Sequence, residues 1–133
     1  AEYPVKANET IVTLAMIETR QALDKLDEIL SVKGLDAVYI GPADLSLSLG
    51  CTPTFDDVDK PVAEAIDMVL AKANEHGVVP CIHNGTPEAA LKRIERGFRL
   101  VTISSDARLM TAGAQQVMSK MRSAMKPAAA SAY

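Results

Sequence analysis

Four times along this chain a short apolar run is followed by a stretch whose apolar residues recur at helical spacing, and three of the four runs are preceded by a glycine. The runs are Ile11 to Ile17, Ala37 to Ile40, Val78 to His83 and Leu100 to Ser104, and the glycines are Gly34, Gly77 and Gly97. Strands that alternate with helices on this scale return to the same end of a sheet each time. They therefore pair in parallel, through right-handed crossovers. In both common versions of such a fold, function collects at the C-terminal ends of the strands.

Taken in order, Glu2 to Thr10 reads as an entry loop or short helix, and Ile11 to Ile17 as a parallel strand buried on both faces. Thr19 can cap a helix carrying Ala22, Leu23, Leu26, Ile29 and Leu30 on one side. Gly34 stands where a C-cap would. After a longer loop, Pro61 sits in the first turn of a helix with Ala65, Ile66, Val69, Leu70 and Ala73 on its apolar stripe, ended by Gly77. Pro80 is awkward in a central strand, because it has no N–H for the ladder, so a bulge or an unused donor position is expected there. Thr86-Pro87-Glu88 combines a cap, a proline at the first position and an acid at the positive end of the helix dipole. Asp106 is expected to cap a last helix bearing Met110, Ala114, Val117, Met118, Met121 and Met125, a stripe that reads as core or partner-facing surface. Residues 1–126 form one domain in this reading, and 127–133 a frayed tail.

Several function classes lose their support. A net charge of −3 without a basic block, and no Trp, argue against nucleic acid or an anionic membrane surface as partner. Cys51 and Cys81 lie in no metal-ligand or redox spacing and read as reduced thiols of a cytoplasmic protein. No apolar run approaches a membrane span of about 20 residues. Neither G-x-G-x-x-G nor G-x-x-x-x-G-K-[ST] occurs, which removes the usual nucleotide-binding fingerprints.

Residues at the expected functional rim are Glu18, Asp44, Ser46, His83, Asn84, Ser104, Ser105 and Asp106. Glu18 closes the first run, where a carboxylate is also attracted by the dipole of the helix that follows. Asp44 sits in Gly41-Pro42-Ala43-Asp44-Leu45-Ser46, where a turn or cap role is the plain alternative. Together on neighbouring strand ends they make an oxygen-rich corner of the kind Mg²⁺ or Mn²⁺ prefers. No Cys/His set suited to zinc exists. His83 reads as a general base, a donor to an acyl group, or a hydrogen-bonded structural residue. Ser46 and Ser104 have no G-x-S-x-G elbow to activate them.

The stretches Met16-Ile17-Glu18-Thr19-Arg20-Gln21-Ala22-Leu23 and Ala37-Val38-Tyr39-Ile40-Gly41-Pro42-Ala43-Asp44-Leu45-Ser46 closely resemble the HpcH/HpaI family of class II, metal-dependent pyruvate aldolases. Gly97 to Ile103 with Ser105-Asp106 resembles that family's last strand. The resemblance extends to about Met125. It implies a (β/α)₈ barrel of about 250 residues, of which this chain would supply the second half, strands five to eight. It also implies that Glu18 and Asp44 ligate a divalent ion (Mg²⁺, Mn²⁺ or Co²⁺), and that the backbone at Ala43 and Asp44 receives the carboxylate of a 2-oxo acid. The implied reaction is reversible aldol cleavage of a 4-hydroxy-2-oxo acid to pyruvate and an aldehyde, through a metal-stabilised enolate. The implied assembly is a homo-oligomer, a hexamer in which neighbouring subunits exchange the last helix.

Two departures stand out. Met16 replaces a substrate-contacting Gln, and His83 replaces an apolar pocket residue, which makes His83 a candidate for touching the acceptor aldehyde. The family's base His and clamping Arg belong to the first half of the barrel, and no residue here matches them, so no catalytic base is assignable in this chain. A half barrel has two open edges and an exposed inner face, and a longer natural protein is expected. A citramalyl- or malyl-CoA lyase relative, and a catalytically silent half barrel that only folds and associates, are the alternative readings.

Overall fold

The computed structural model describes residues 2–125. The elements are α1 (Tyr3–Thr10), β1 (Leu14–Ile17), α2 (Arg20–Asp24), α3 (Leu26–Leu30), β2 (Ala37–Ile40), α4 (Pro42–Ser48), α5 (Lys60–His76), β3 (Val79–Asn84), α6 (Pro87–Glu95), β4 (Leu100–Ile103) and α7 (Asp106–Ala124). The expected tail at 127–133 lies outside the described residues. The chain divides into two compact units, one through Ile103 and one from Ser104 onward.

In the first unit the four strands form one parallel sheet in the order β1-β2-β3-β4, the sequential order that successive right-handed βα units produce. Ile17 pairs with Ile40, Ile40 with Ile82, and His83 with Thr102. Side chains alternate between the two faces. Ile17, Val38, Ile40 and Ile82 point into a core shared with Leu26, Leu30, Leu45, Val62, Ile66 and Val69. Burying each of these contributes about 1.5–3 kcal/mol. α5 shows why the helices lie where they do: Val62, Ala65, Ile66, Val69, Leu70 and Ala73 follow the 3.6-residue period and are its buried positions. Gly77 closes α5 with φ 70°, the left-handed conformation glycine adopts without penalty, and Val78 N–H reaches back to Ala73 C=O at 2.9 Å.

The opposite face of the sheet carries Leu14, Met16, Tyr39, Val79, Cys81, His83, Leu100 and Thr102, and much of it is open: Met16 is 57% and Leu100 44% exposed. This corrects the reading of the first run as a strand buried on both faces. β1 starts only at Leu14 and buries a single side chain, Ile17. The expected single helix after Thr19 is two, broken at Lys25, whose φ of −110° and ψ of 20° leave the helical region.

Pro80 lies in the central strand β3 without a bulge. Its carbonyl accepts from Arg99 N–H at 3.0 Å on the β4 side, while Val79 N–H serves the β2 side. A residue's N–H and C=O face the same neighbour in a parallel ladder. β4 pairs only from Leu100, opposite Cys81, so the N–H that Pro80 lacks faces the chain ahead of that strand.

In the second unit α7 is capped by Ser105, whose hydroxyl accepts from Arg108 N–H. Asp106, expected as the cap, is the first helical residue. Ser104, just before, has φ 59°, the one positive φ outside glycine among the described residues. No helix among the described residues is long and apolar enough to cross a membrane.

Candidate active site

Glu18 follows β1 directly, and Asp44 lies in the first turn of α4, three residues beyond Gly41, which follows β2. Because Ile17 and Ile40 are register partners, both carboxylates leave the C-terminal edge of the sheet side by side. Thr19 caps α2 by accepting from Ala22 N–H, which turns the chain sharply after Glu18. Arg20 N–H donates to Ser48 Oγ at 2.9 Å, tying the turn that bears Glu18 to the helix that bears Asp44.

Gly41 makes the approach possible. A Cβ built there would stand 2.3 Å from Glu18 Oε1, so the carboxylate occupies space that any other residue would fill. Burial raises the pKa of Glu18, and repulsion from Asp44 raises it further. Among the described residues neither carboxylate has an ion-pair partner. Two adjacent acids without a cation are a donor set of the hard-oxygen type that divalent Mg²⁺ or Mn²⁺ takes. No group of three or more His, Cys, Asp or Glu side chains suited to a metal occurs among the described residues. The pair alone would supply only part of the oxygen ligands such an ion takes.

The start of α4 adds the complementary feature. No side chain caps Gly41, Pro42 has no N–H, and the amides of Ala43 and Asp44 lie in the turn where helix geometry offers no internal acceptor. An anionic group is favoured at such a terminus.

The remaining candidates sort by their contacts. Ser46 Oγ donates to Pro42 C=O at 2.7 Å and is fully buried, a structural role. Asn84 donates to Ile82 C=O and to Thr102 C=O, and its buried Oδ1 has no partner among the described residues. His83 is in contact with three side chains. Its Nδ1 lies 2.8 Å from Thr102 Oγ1 and 3.2 Å from the Tyr39 hydroxyl, and Phe55 meets its ring edge-on at 5.0 Å. Asp56 holds that loop in place, accepting from Gly85 N–H and Thr86 Oγ1, each at 2.8 Å. Gly41, Tyr39, Thr102 and Asp56 were absent from the sequence-based candidates. The signal for two of them was visible: Tyr39 and Thr102 are the penultimate residues of their strands, on the same alternation as His83.

Four consecutive parallel strands with paired acids at their C-terminal edge match part of a (β/α)₈-barrel architecture. The family model for HpcH/HpaI aldolase/citrate lyase matches residues 2–112, and the chain belongs to that family. It is 43% identical over 120 residues to the hydroxypyruvate/pyruvate aldolase of Rhizorhabdus wittichii, covering 90% of this chain and 48% of that protein. With the 4-hydroxy-2-oxo-heptane-1,7-dioate aldolase of Escherichia coli it shares 33% over 129 residues, 95% of this chain and 48% of that one. A crystal structure of a family member from Burkholderia cenocepacia superposes with a TM-score of 0.80 at 30% identity, covering 91% of this chain and 46% of that one. The chain thus spans about half the length of the curated relatives it matches, and the fold is roughly half of a TIM-type barrel.

Proposed function

We propose that the whole protein is a divalent-metal-dependent aldolase acting on 4-hydroxy-2-oxo acids, with Glu18 and Asp44 as metal ligands. The observation that carries this reading is the seating of Glu18 over Gly41, close enough to Asp44 for the two to repel. When bound there, a divalent ion supplies Lewis-acid polarisation of a keto oxygen, which acidifies the neighbouring methyl or methylene protons.

The chain's own residues do the rest of the positioning. As carboxylates, Glu18 and Asp44 would together balance the charge of a divalent ion. The Ala43 and Asp44 amides receive the substrate carboxylate at the positive end of α4, so that the keto carbon is fixed beside the paired acids. Tight turns after β1 and β2 keep these groups on rigid strand ends, where small displacements cost most. The base that moves the substrate proton is not assigned among the residues of this chain. The exposed Met110, Val117, Met118 and Met121 of α7 support a role for that helix in homo-oligomer assembly.

The test is pyruvate release from a 4-hydroxy-2-oxo acid by the full-length protein, before and after chelation and with Mg²⁺ or Mn²⁺ restored. Activity is expected to disappear with chelator, return with metal, and fall by at least about 100-fold in Glu18→Gln and in Asp44→Asn. Activity that survives chelation would refute the reading.

A further inference from the structure

On the open face of the sheet, three polar side chains from three adjacent strands meet in an otherwise apolar surface. Tyr39 comes from β2, His83 from β3 and Thr102 from β4. The Tyr39 hydroxyl lies 2.5 Å from Thr102 Oγ1, and Thr102 Oγ1 lies 2.8 Å from His83 Nδ1. All three are penultimate in their strands, so the cluster stands just inside the edge from which Glu18 and Asp44 project. The rest of that face consists of Leu14, Met16, Ala37, Val79, Cys81 and Leu100, with no charged group, and burial pushes the Cys81 thiol pKa up.

We propose that this cluster is the recognition site for a neutral oxygen on the aldehyde half of the substrate, so that the enzyme selects hydroxylated over plain alkyl aldehydes. The inference rests on the aldolase reading above and deepens it. The two hydroxyls bring two protons to three mutually close polar atoms. Tyr39, the more acidic hydroxyl, donates to Thr102 Oγ1, and Thr102 donates to Nδ1. Nδ1 is then an acceptor, which places the ring proton on Nε2. Nε2 has no hydrogen-bond partner among the described residues. The edge-on contact with Phe55, interplanar angle 69°, fixes the plane of the ring. His83 therefore offers one oriented N–H donor on an apolar wall. This wall itself brings no countercharge for a phosphate or carboxylate. A hydroxyl satisfies the donor, and an aldehyde lacking one leaves it unpaired. Tyr39 and Thr102 are positioning residues that act through the tautomer.

Two measurements test this in the full-length protein. The first compares kcat/KM for pyruvate addition to glycolaldehyde and to acetaldehyde within each variant. The glycolaldehyde-to-acetaldehyde ratio is expected to fall about tenfold in His83→Leu and part of the way in Thr102→Val, and to be restored in Thr102→Ser, as the loss of one hydrogen bond predicts. The second is the two-bond ¹H–¹⁵N correlation of the His83 ring. It is expected to show the Nε2-protonated tautomer in the wild type and a mixture in Thr102→Val, which a merely structural role would not produce. An unchanged ratio in His83→Leu, or an Nδ1-protonated wild-type ring, overturns the proposal. Metal-dependent exchange of the pyruvate methyl protons with D₂O by the wild type tests the aldolase reading separately. If exchange is present and the ratio does not move, only the recognition site is wrong. If exchange is absent, the aldolase reading falls and takes this assignment with it.

Discussion

Replacing Gly41 by alanine should separate the fold from the site. Gly41 has φ −99° and ψ 97°, which alanine adopts without strain. The added Cβ would lie 2.3 Å from Glu18 Oε1, 3.1 Å from its Cδ and 3.3 Å from its Cγ. Carbon and oxygen approach comfortably to about 3.3 Å, so Oε1 must retreat by about 1 Å. The obstructing atom is the end of a flexible side chain, and its displacement costs the fold little. Alanine at a compatible backbone also returns about 0.4–1 kcal/mol by restricting the unfolded chain. The melting temperature should therefore stay within a few degrees of wild type, about the shift that 1 kcal/mol produces. Activity should not follow. A 1 Å misplacement at the reacting centre costs about 100-fold, or about 2.7 kcal/mol of barrier. The assay pairs a thermal melt with Mg²⁺-dependent pyruvate release. A Gly41→Ala protein that melts and reacts like wild type would refute the view that Glu18 acts from above Gly41. One that loses stability by several kcal/mol would show that the backbone, not Glu18, yields.

Three further outcomes follow from other parts of the structure. Asp56→Ala removes the acceptor of both Gly85 N–H and Thr86 Oγ1; chemical denaturation should show a loss of about 2–4 kcal/mol, and the contact of Phe55 with His83 should loosen. Gly113→Ala, at a helical position where the new Cβ meets nothing within 4 Å, should strengthen α7 by about 1 kcal/mol, read as slower amide exchange along that helix. Asp27 accepts from Lys72 and lies 3.3 Å from His76 on α5, and its pKa is lowered chiefly by the Lys72 hydrogen bond. The stability this pairing adds is present above the ordinary carboxylate pKa and is lost as pH falls through the lowered one. Asp27→Asn should thus shallow the acid limb of a stability–pH profile.

Much of the architecture was legible because it is written locally. The caps at Thr19 and Thr86, the left-handed Gly77 and the α5 stripe all depend on residues within one or two turns of each other, and the structure has each of them. The break at Lys25 was not legible, since Leu26 and Leu30 continue the apolar spacing across it. Pro80 could not be judged from its own strand, because what matters is where β4 begins to pair. At the site, Glu18 and Asp44 stood out as acids at strand ends, but the role of Gly41 depends on a contact across two strands. The Tyr39–Thr102–His83 cluster is less local still, joining residues 63 positions apart. Its components are individually ordinary strand residues, and only the register makes them neighbours.

The aldolase chemistry proposed for this protein requires that Glu18 and Asp44 hold a divalent ion together. Titration of the protein with Mn²⁺ in the presence of pyruvate, followed by the loss of the free-ion electron paramagnetic resonance signal, measures this directly. One ion per chain is expected, with affinity falling by at least about 100-fold in either Glu18→Gln or Asp44→Asn and little further in the double variant. Undiminished Mn²⁺ binding in the double variant would place the metal elsewhere and contradict a shared site on Glu18 and Asp44.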